Sequence, residues 1–82
     1  MLIINPEYAE SVPALSKEEY EALKADISKR GLIYPIIVNK EGYIIDGHHR
    51  YKICNELGIK PLISVMEFSD ELSEKEYVIT IN

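Results

Sequence analysis

Chemistry concentrates in one stretch of this chain, Tyr43-Ile44-Ile45-Asp46-Gly47-His48-His49-Arg50-Tyr51, where an apolar run stops at a glycine and gives way to cationic, proton-exchanging side chains. Gly47 permits a tight backbone turn and close approach of a ligand, and a helix beginning there offers unpaired N–H groups and the positive end of its dipole. Arg50 adds a planar fork of donors suited to phosphate oxygens. His48 and His49 donate hydrogen bonds or exchange protons near neutral pH. Cations at a helix start are electrostatically unfavourable unless an anion offsets them. The stretch therefore reads as an anion site with phosphate as its guest, against the plainer reading of an ordinary strand-to-helix turn with three solvated side chains. Asp46, at the strand end, has three options: to hold Mg²⁺ beside bound phosphates, to cap the helix, or to pair with Arg50.

Other chemistries fit less well. Adjacent helical side chains diverge by about 100°, so His48 and His49 are poorly placed to chelate one ion, and the i, i+4 histidine pair of a metalloprotease helix is absent. Cys54 falls on the apolar side of the same helix with Ile53 and Leu57, where a free cysteine packs as a small hydrophobe. No Walker A or Gly-x-Gly-x-x-Gly sequence is present.

The elements that must hold the site can be read around it. Ser16 and Glu19 form a Ser-x-x-Glu capping box, and Tyr20, Leu23 and Ile27 mark one face of a helix ending before Gly31. Ile36–Val38 and Tyr43–Ile45 are β-rich runs joined by Asn39-Lys40-Glu41-Gly42, which favours a hairpin. A second helix is expected from about His48 to Leu57, stopped by Gly58, and a strand over Leu62–Met66. Met1–Ile4 reads as a first strand, followed by a loop to Leu15. The last segment divides: Ser73 and Glu76 suggest a capping box, whereas Tyr77–Ile81 has the alternation of a strand.

Composition sets the outer limits. Eighty-two residues with 46% hydrophobic content suit one small domain. A single cysteine excludes an intrachain disulfide and points to a reducing compartment. No stretch is long and apolar enough for a membrane span, and Met1–Ile4 lacks the features of a signal peptide, so a cytoplasmic location without membrane association is expected. Net charge of −5 disfavours gripping a DNA backbone. The cations Lys29, Arg30, His48, His49, Arg50 and Lys52 nevertheless cluster near the chemistry, while Glu67 to Glu76 is acidic.

Asp46-Gly47-His48-His49-Arg50, preceded by Gly31-Leu32-Ile33-Tyr34-Pro35-Ile36-Ile37-Val38, resembles the first two sequence boxes of the ParB N-terminal domain, in the ParB/sulfiredoxin superfamily. Pro13-Ala14-Leu15-Ser16 and the helix after it resemble the segment before the first box, so the likeness covers nearly the whole chain. Ile81-Asn82 falls where a third box, of the type Glu-Asn-x-Gln-Arg, would begin. The resemblance implies a single α+β domain over residues 1–82 that ends inside that box, with a short mixed sheet and two to three helices, the last leading into the third box. It implies that Gly31, Leu32, Pro35 and Ile36 line the base and ribose side of a nucleotide pocket, and that Gly47, His48, His49 and Arg50 hold phosphates, with Mg²⁺ at Asp46. The nucleotide is a triphosphate, CTP or ATP: CTP-hydrolysing members carry Gly-Glu-Arg-Arg in the second box where this chain has Gly-His-His-Arg. The function implied is that of a ParB-type regulator of DNA segregation or transcription, with DNA contacted beyond Asn82 and a homodimer allowed in the full-length protein.

The alternative is a small-molecule phosphotransferase, because the sequence also resembles ParB-like free-serine kinases in Asp46–Arg50. Those enzymes place a catalytic glutamate in the loop before the capped helix, which makes Glu10, ahead of Glu7, the candidate base, with Asp46 as a second candidate catalytic group. Enzymatic activity thus stays open between nucleotide hydrolysis and phosphotransfer. Sulfiredoxins use a cysteine in Gly-Cys-His-Arg, and His48 occupies that place here, which disfavours sulfinic-acid reduction.

Overall fold

Asn39 organises the centre of the molecule. Its side-chain oxygen accepts the N–H groups of Glu41 (3.1 Å) and Tyr43 (2.9 Å), closing the expected turn between β1 (Ile36–Val38) and β2 (Ile44–Asp46). The two strands pair antiparallel, with Val38 opposite Ile44 and Ile37 opposite Asp46. That step leaves Ile45 as an extra residue in β2, a bulge of the kind that re-aims side chains at a strand end. Ile44 and Ile45 are both fully buried, yet they join different clusters: Ile44 packs with Ile36 and Val38, and Ile45 with Tyr8 and Val78. This hairpin is therefore covered on both faces.

The computed structural model describes residues 2–81. Met1, where the first strand was expected to start, and Asn82, assigned to the third box, lie outside the described residues. Of the expected first strand, Ile3 forms a single parallel bridge with Tyr43 on the free side of β2. β3 (Ile63–Val65) adds to the other side of β1 in parallel, giving the order β2-β1-β3 and the mixed sheet anticipated.

The first cluster is roofed by two helices. α2 (Lys17–Arg30) carries the capping box in full: Glu19 N–H donates to Ser16 Oγ (3.1 Å), and Ser16 N–H donates to Glu19 Oε1 (3.0 Å). α3 (His48–Leu57) packs against α2 and β1, burying Ile53 and Cys54 completely. The other face is covered by α1 (Pro6–Glu10) and α4 (Glu71–Ile81), through Tyr8 and Val78 with Phe68 and Tyr77 beside them.

Two details depart from the sequence reading, and between them the structure decides an alternative that it left open. The loop expected before Leu15 contains α1, whose start Asn5 caps by accepting Glu7 N–H at 3.0 Å, with Pro6 at the first helical position. The described helices therefore number four. The last segment is the helix that the resemblance implied, its strand-like alternation overridden by packing of Val78 and Tyr77 with Tyr8 and Ile45. Finally, Ser73 does not cap that helix. Asp70 does, accepting Ser73 N–H at 2.7 Å, so the helix begins before Ser73 and the Ser73–Glu76 capping box is corrected.

Candidate anion-binding site

The site forms where β2 ends, α3 begins and the chain enters β1. Gly47 sits at the N-cap of α3 with φ 102° and ψ 27°, a left-handed conformation that favours glycine. Its carbonyl accepts the first helical bond, from Tyr51 N–H at 2.8 Å, and no side chain caps the helix. The N–H groups of the first turn therefore point outward without intrahelical partners. No acidic residue lies in that turn.

Arg50 folds back over this start. Its Nη2 is 3.4 Å from Asp46 Oδ2, and its side chain is mostly buried. A methyl group added at Gly47 would sit 3.1 Å from Arg50 Nη2, 3.3 Å from its Nε and 3.3 Å from Ile36 Cγ1. Bare glycine backbone thus serves two needs at once, the turn and the room for the guanidinium.

The two histidines diverge as helical geometry requires, and each has its own environment. His48 is half-buried, with both ring nitrogens shielded from solvent and without a hydrogen-bond partner among the described residues. Burial above all, then the neighbouring His49, lowers its pKa below the ordinary imidazole value, with Asp46 acting the other way. The ring is held neutral, an acceptor and a donor both unused. Such orphaned groups are rare in folded proteins because each costs free energy. His49 Nε2–H instead donates to the carbonyl of Pro13 at 2.9 Å, fastening the segment between α1 and α2 to the first turn of α3. Pro13 was not singled out from the sequence: a backbone carbonyl leaves no residue-type signal.

The structure brings the two boxes together. Gly31 ends α2 with φ 78° and ψ −179°, donating its N–H to Ile27 O at 2.8 Å. That backbone region is essentially reserved for glycine, which accounts for the residue structurally. Leu32 joins the cluster of Ile36, Val38 and Ile44 together with Tyr51 of α3, Pro35 is half-buried, and Ile36 abuts Gly47. The two boxes therefore meet through Ile36, which is fully buried and adds packing to the site but no surface of its own.

Glu10 is placed differently. It ends α1, exposed, and no hydrogen bond or ion pair joins it to Asp46–Arg50 among the described residues. Asp46 is the one metal-capable carboxylate at the site, and no group of three His, Cys, Asp or Glu side chains among the described residues could hold an ion. Protein side chains alone do not build a Mg²⁺ site here. Cys54, fully buried, has its thiol pKa pushed up by burial, with Arg50 acting in the opposite sense. A buried, protonated thiol is a poor nucleophile.

A second constellation went unnoticed in the sequence. Glu74 of α4 accepts hydrogen bonds from Tyr8 and from Asn39 Nδ2 (2.9 Å), linking α1, the hairpin turn and α4 on the face of the sheet away from α3. Burial and this carboxylate raise the Tyr8 pKa far above the ordinary phenol value.

Residues 1–80 match the family model described as the ParB N-terminal domain. The uncharacterized protein ORF326b of Acidianus two-tailed virus is 32% identical over 74 residues, which cover 90% of this chain and 22% of that protein. Among solved structures, the C2221 form of a Pnob8-like ParB-N domain superposes with a TM-score of 0.79 at 25% identity, covering 99% of this chain and 33% of that one. The C-terminally truncated chromosome-partitioning protein ParB from Caulobacter crescentus, complexed with CTP-γ-S, superposes with a TM-score of 0.78 at 28% identity, covering 99% of this chain and 47% of that one. The chain thus spans less than half the length of each of these relatives.

Proposed function

The chain belongs to the ParB N-terminal domain family, and from that premise we propose that it is the nucleotide-binding part of a ParB-type partition protein or transcription regulator. In this reading Asp46–Arg50 is the second family box, and the start of α3 receives the phosphates of a nucleoside triphosphate, CTP in first place. The supporting observation is the uncapped helix start: the first-turn N–H groups and the Arg50 guanidinium are the donors a polyphosphate requires, beside a buried His48 ring whose nitrogens have no partner among the described residues. Gly31, Leu32 and Pro35 would then face the ribose and base, with Ile36, fully buried beside Gly47, as the packing beneath them. The solved Caulobacter relative was crystallised with a CTP analogue, which favours that nucleotide.

Any Mg²⁺ is assigned to the nucleotide's own phosphates, since the side chains present do not form a metal site. DNA contact is assigned to parts of a longer protein, because a chain of net charge −5 lacks the basic face that duplex binding draws on. A homodimer belongs to that longer protein as well.

Calorimetric titration of the chain with CTP, ATP and inorganic triphosphate tests the reading. Saturable binding of CTP ahead of ATP is expected, and no binding of any of the three would end it. The phosphotransferase alternative has less support, for it needs a base at the transferred phosphate and no hydrogen bond or ion pair joins Glu10 to Asp46–Arg50 among the described residues. Phosphoserine formed from serine and ATP, and lost in Glu10→Gln, would reverse that preference.

A further inference from the structure

Asp46 is a carboxylate beside a site built for anions, the wrong charge in that place. Repulsion alone would make it a liability. Its ordinary explanations do not hold: no side chain caps α3, and no group of metal ligands forms around it among the described residues. Its ion-pair partner among the described residues is Arg50, four residues on, at 3.4 Å. Arg50 lies in a slot bounded by the bare Gly47 backbone, Ile36 Cγ1 and that carboxylate, and its side chain is only 20% exposed while that of Asp46 is 41% exposed. An arginine left free on a first helical turn would sample many rotamers, and a ligand would have to order it.

We propose that Asp46 is a positioning residue: its carboxylate fixes the Arg50 guanidinium over Gly47, so that a negatively charged side chain strengthens the binding of a negatively charged ligand. The inference rests on the phosphate-binding reading and assigns Asp46 a role other than metal ligand or catalytic group. The carboxylate takes up one side of the guanidinium fork and leaves its remaining N–H donors for phosphate oxygens.

The sign of one substitution carries the test. Asp46→Asn removes negative charge from the anion site, so simple electrostatics predicts tighter nucleotide binding, whereas positioning predicts weaker binding. Calorimetry with CTP, ATP and inorganic triphosphate is run on the wild type, Asp46→Asn, Arg50→Ala and the double variant, each in Mg²⁺ and in EDTA. Expected is a loss of roughly tenfold or more in Asp46→Asn, the scale of one charge-assisted hydrogen bond, equal in both buffers and absent in the Arg50→Ala background. Unchanged or tighter binding in Asp46→Asn overturns the proposal. So does a loss confined to Mg²⁺, which would make Asp46 a metal ligand, or a loss that persists without Arg50. If the wild type binds none of the three probes, the phosphate reading fails and the proposal with it; if it binds and Asp46→Asn does not differ, the positioning role alone fails.

Discussion

At Ser16 the chain closes a helix start twice over, with the serine hydroxyl and the Glu19 carboxylate each taking a backbone N–H, and with Glu18 and Glu19 facing the positive end of the dipole. At Gly47 it closes the start with no side chain at all and crowds it with His48, His49 and Arg50. The other two helices resemble the first case: Asn5 caps α1 with Glu7 following, and Asp70 caps α4 with Glu71 and Glu74 following. A capped start with acids in its first turn is self-sufficient, because its donors and its dipole are both satisfied within the chain. The start of α3 has neither a side-chain cap nor an acid in its first turn, which is why the phosphate site is proposed there. Holding it in that form costs stability, as the unpartnered nitrogens of His48 attest, and the rest of the fold must supply the difference.

The comparison can be broken most sharply at the two ends of α3. Gly47 and Gly58 both adopt the left-handed conformation, with φ 102° and φ 68°, so alanine at either should cost stability by about 1–2 kcal/mol in denaturant unfolding. Their surroundings differ. Nothing lies within 4 Å of a methyl group at Gly58, whereas one at Gly47 would press on Arg50 and Ile36. Gly47→Ala should therefore lose nucleotide binding at least as completely as removal of Arg50, with a larger drop in stability than Gly58→Ala. Gly58→Ala should bind as the wild type does. Equal binding by both variants would mean that the start of α3 is not the ligand site.

Arg50→Ala comes next. It should weaken triphosphate binding by about 1.5–3 kcal/mol, the range for hydrogen bonds to charged groups, and leave the chain folded. Circular dichroism and calorimetry on the same sample separate the two effects. A folded variant with wild-type affinity would remove Arg50 from the site.

How far the sequence reveals these two starts depends on how local each is. Ser16-x-x-Glu19 acts through residues three apart, so its reading needs no tertiary information and the structure repeats it atom for atom. Gly47 and Arg50 were equally visible as residue types, and the turn between Asn39 and Gly42 followed from composition. The burial of His48 was not visible: a histidine at a helix start looks solvated until the tertiary packing around it is known. The start of α4 shows the same limit. Asp70 and Ser73 both qualify as caps three residues apart, and only the packing of Val78 and Tyr77 on the sheet decides where the helix runs. α1 was a different case, because Asn5-Pro6 is a local signal of a capped start and a helix of five residues is too short to show a period.

Ser16→Ala sharpens the comparison from the other side. Loss of this cap should lower stability by about 1 kcal/mol, read from urea unfolding, because the Glu19 N–H loses the hydroxyl it donates to. Nucleotide affinity should not move. A binding loss in Ser16→Ala comparable to that of Arg50→Ala would show that the start of α2 serves the ligand too, and the division between closed and open starts would collapse.

The smallest effect is in the pH dependence, where the two kinds of start should separate into different windows. Backbone and side-chain hydrogen bonds to Ser73 lower the pKa of Asp70, and those to Ser16 lower that of Glu19. Each carboxylate therefore contributes stability that is present above its unfolded value, near 4, and is lost as pH falls through the lower folded value. His48 is also lowered, by burial first, but from an unfolded value near 6.5. Below that pH the unfolded chain binds a proton that the native ring refuses, so stability begins to fall from about pH 6.5 and levels off once the folded ring itself titrates. Thermal unfolding between pH 8 and 5 should thus show a gentle decline in the wild type that disappears in His48→Gln, while Asp70→Asn should flatten the decline only below about pH 4. A wild-type profile flat from pH 8 to 5 would mean that the His48 ring is not held neutral by burial, and the open start would then cost less than its orphaned nitrogens imply.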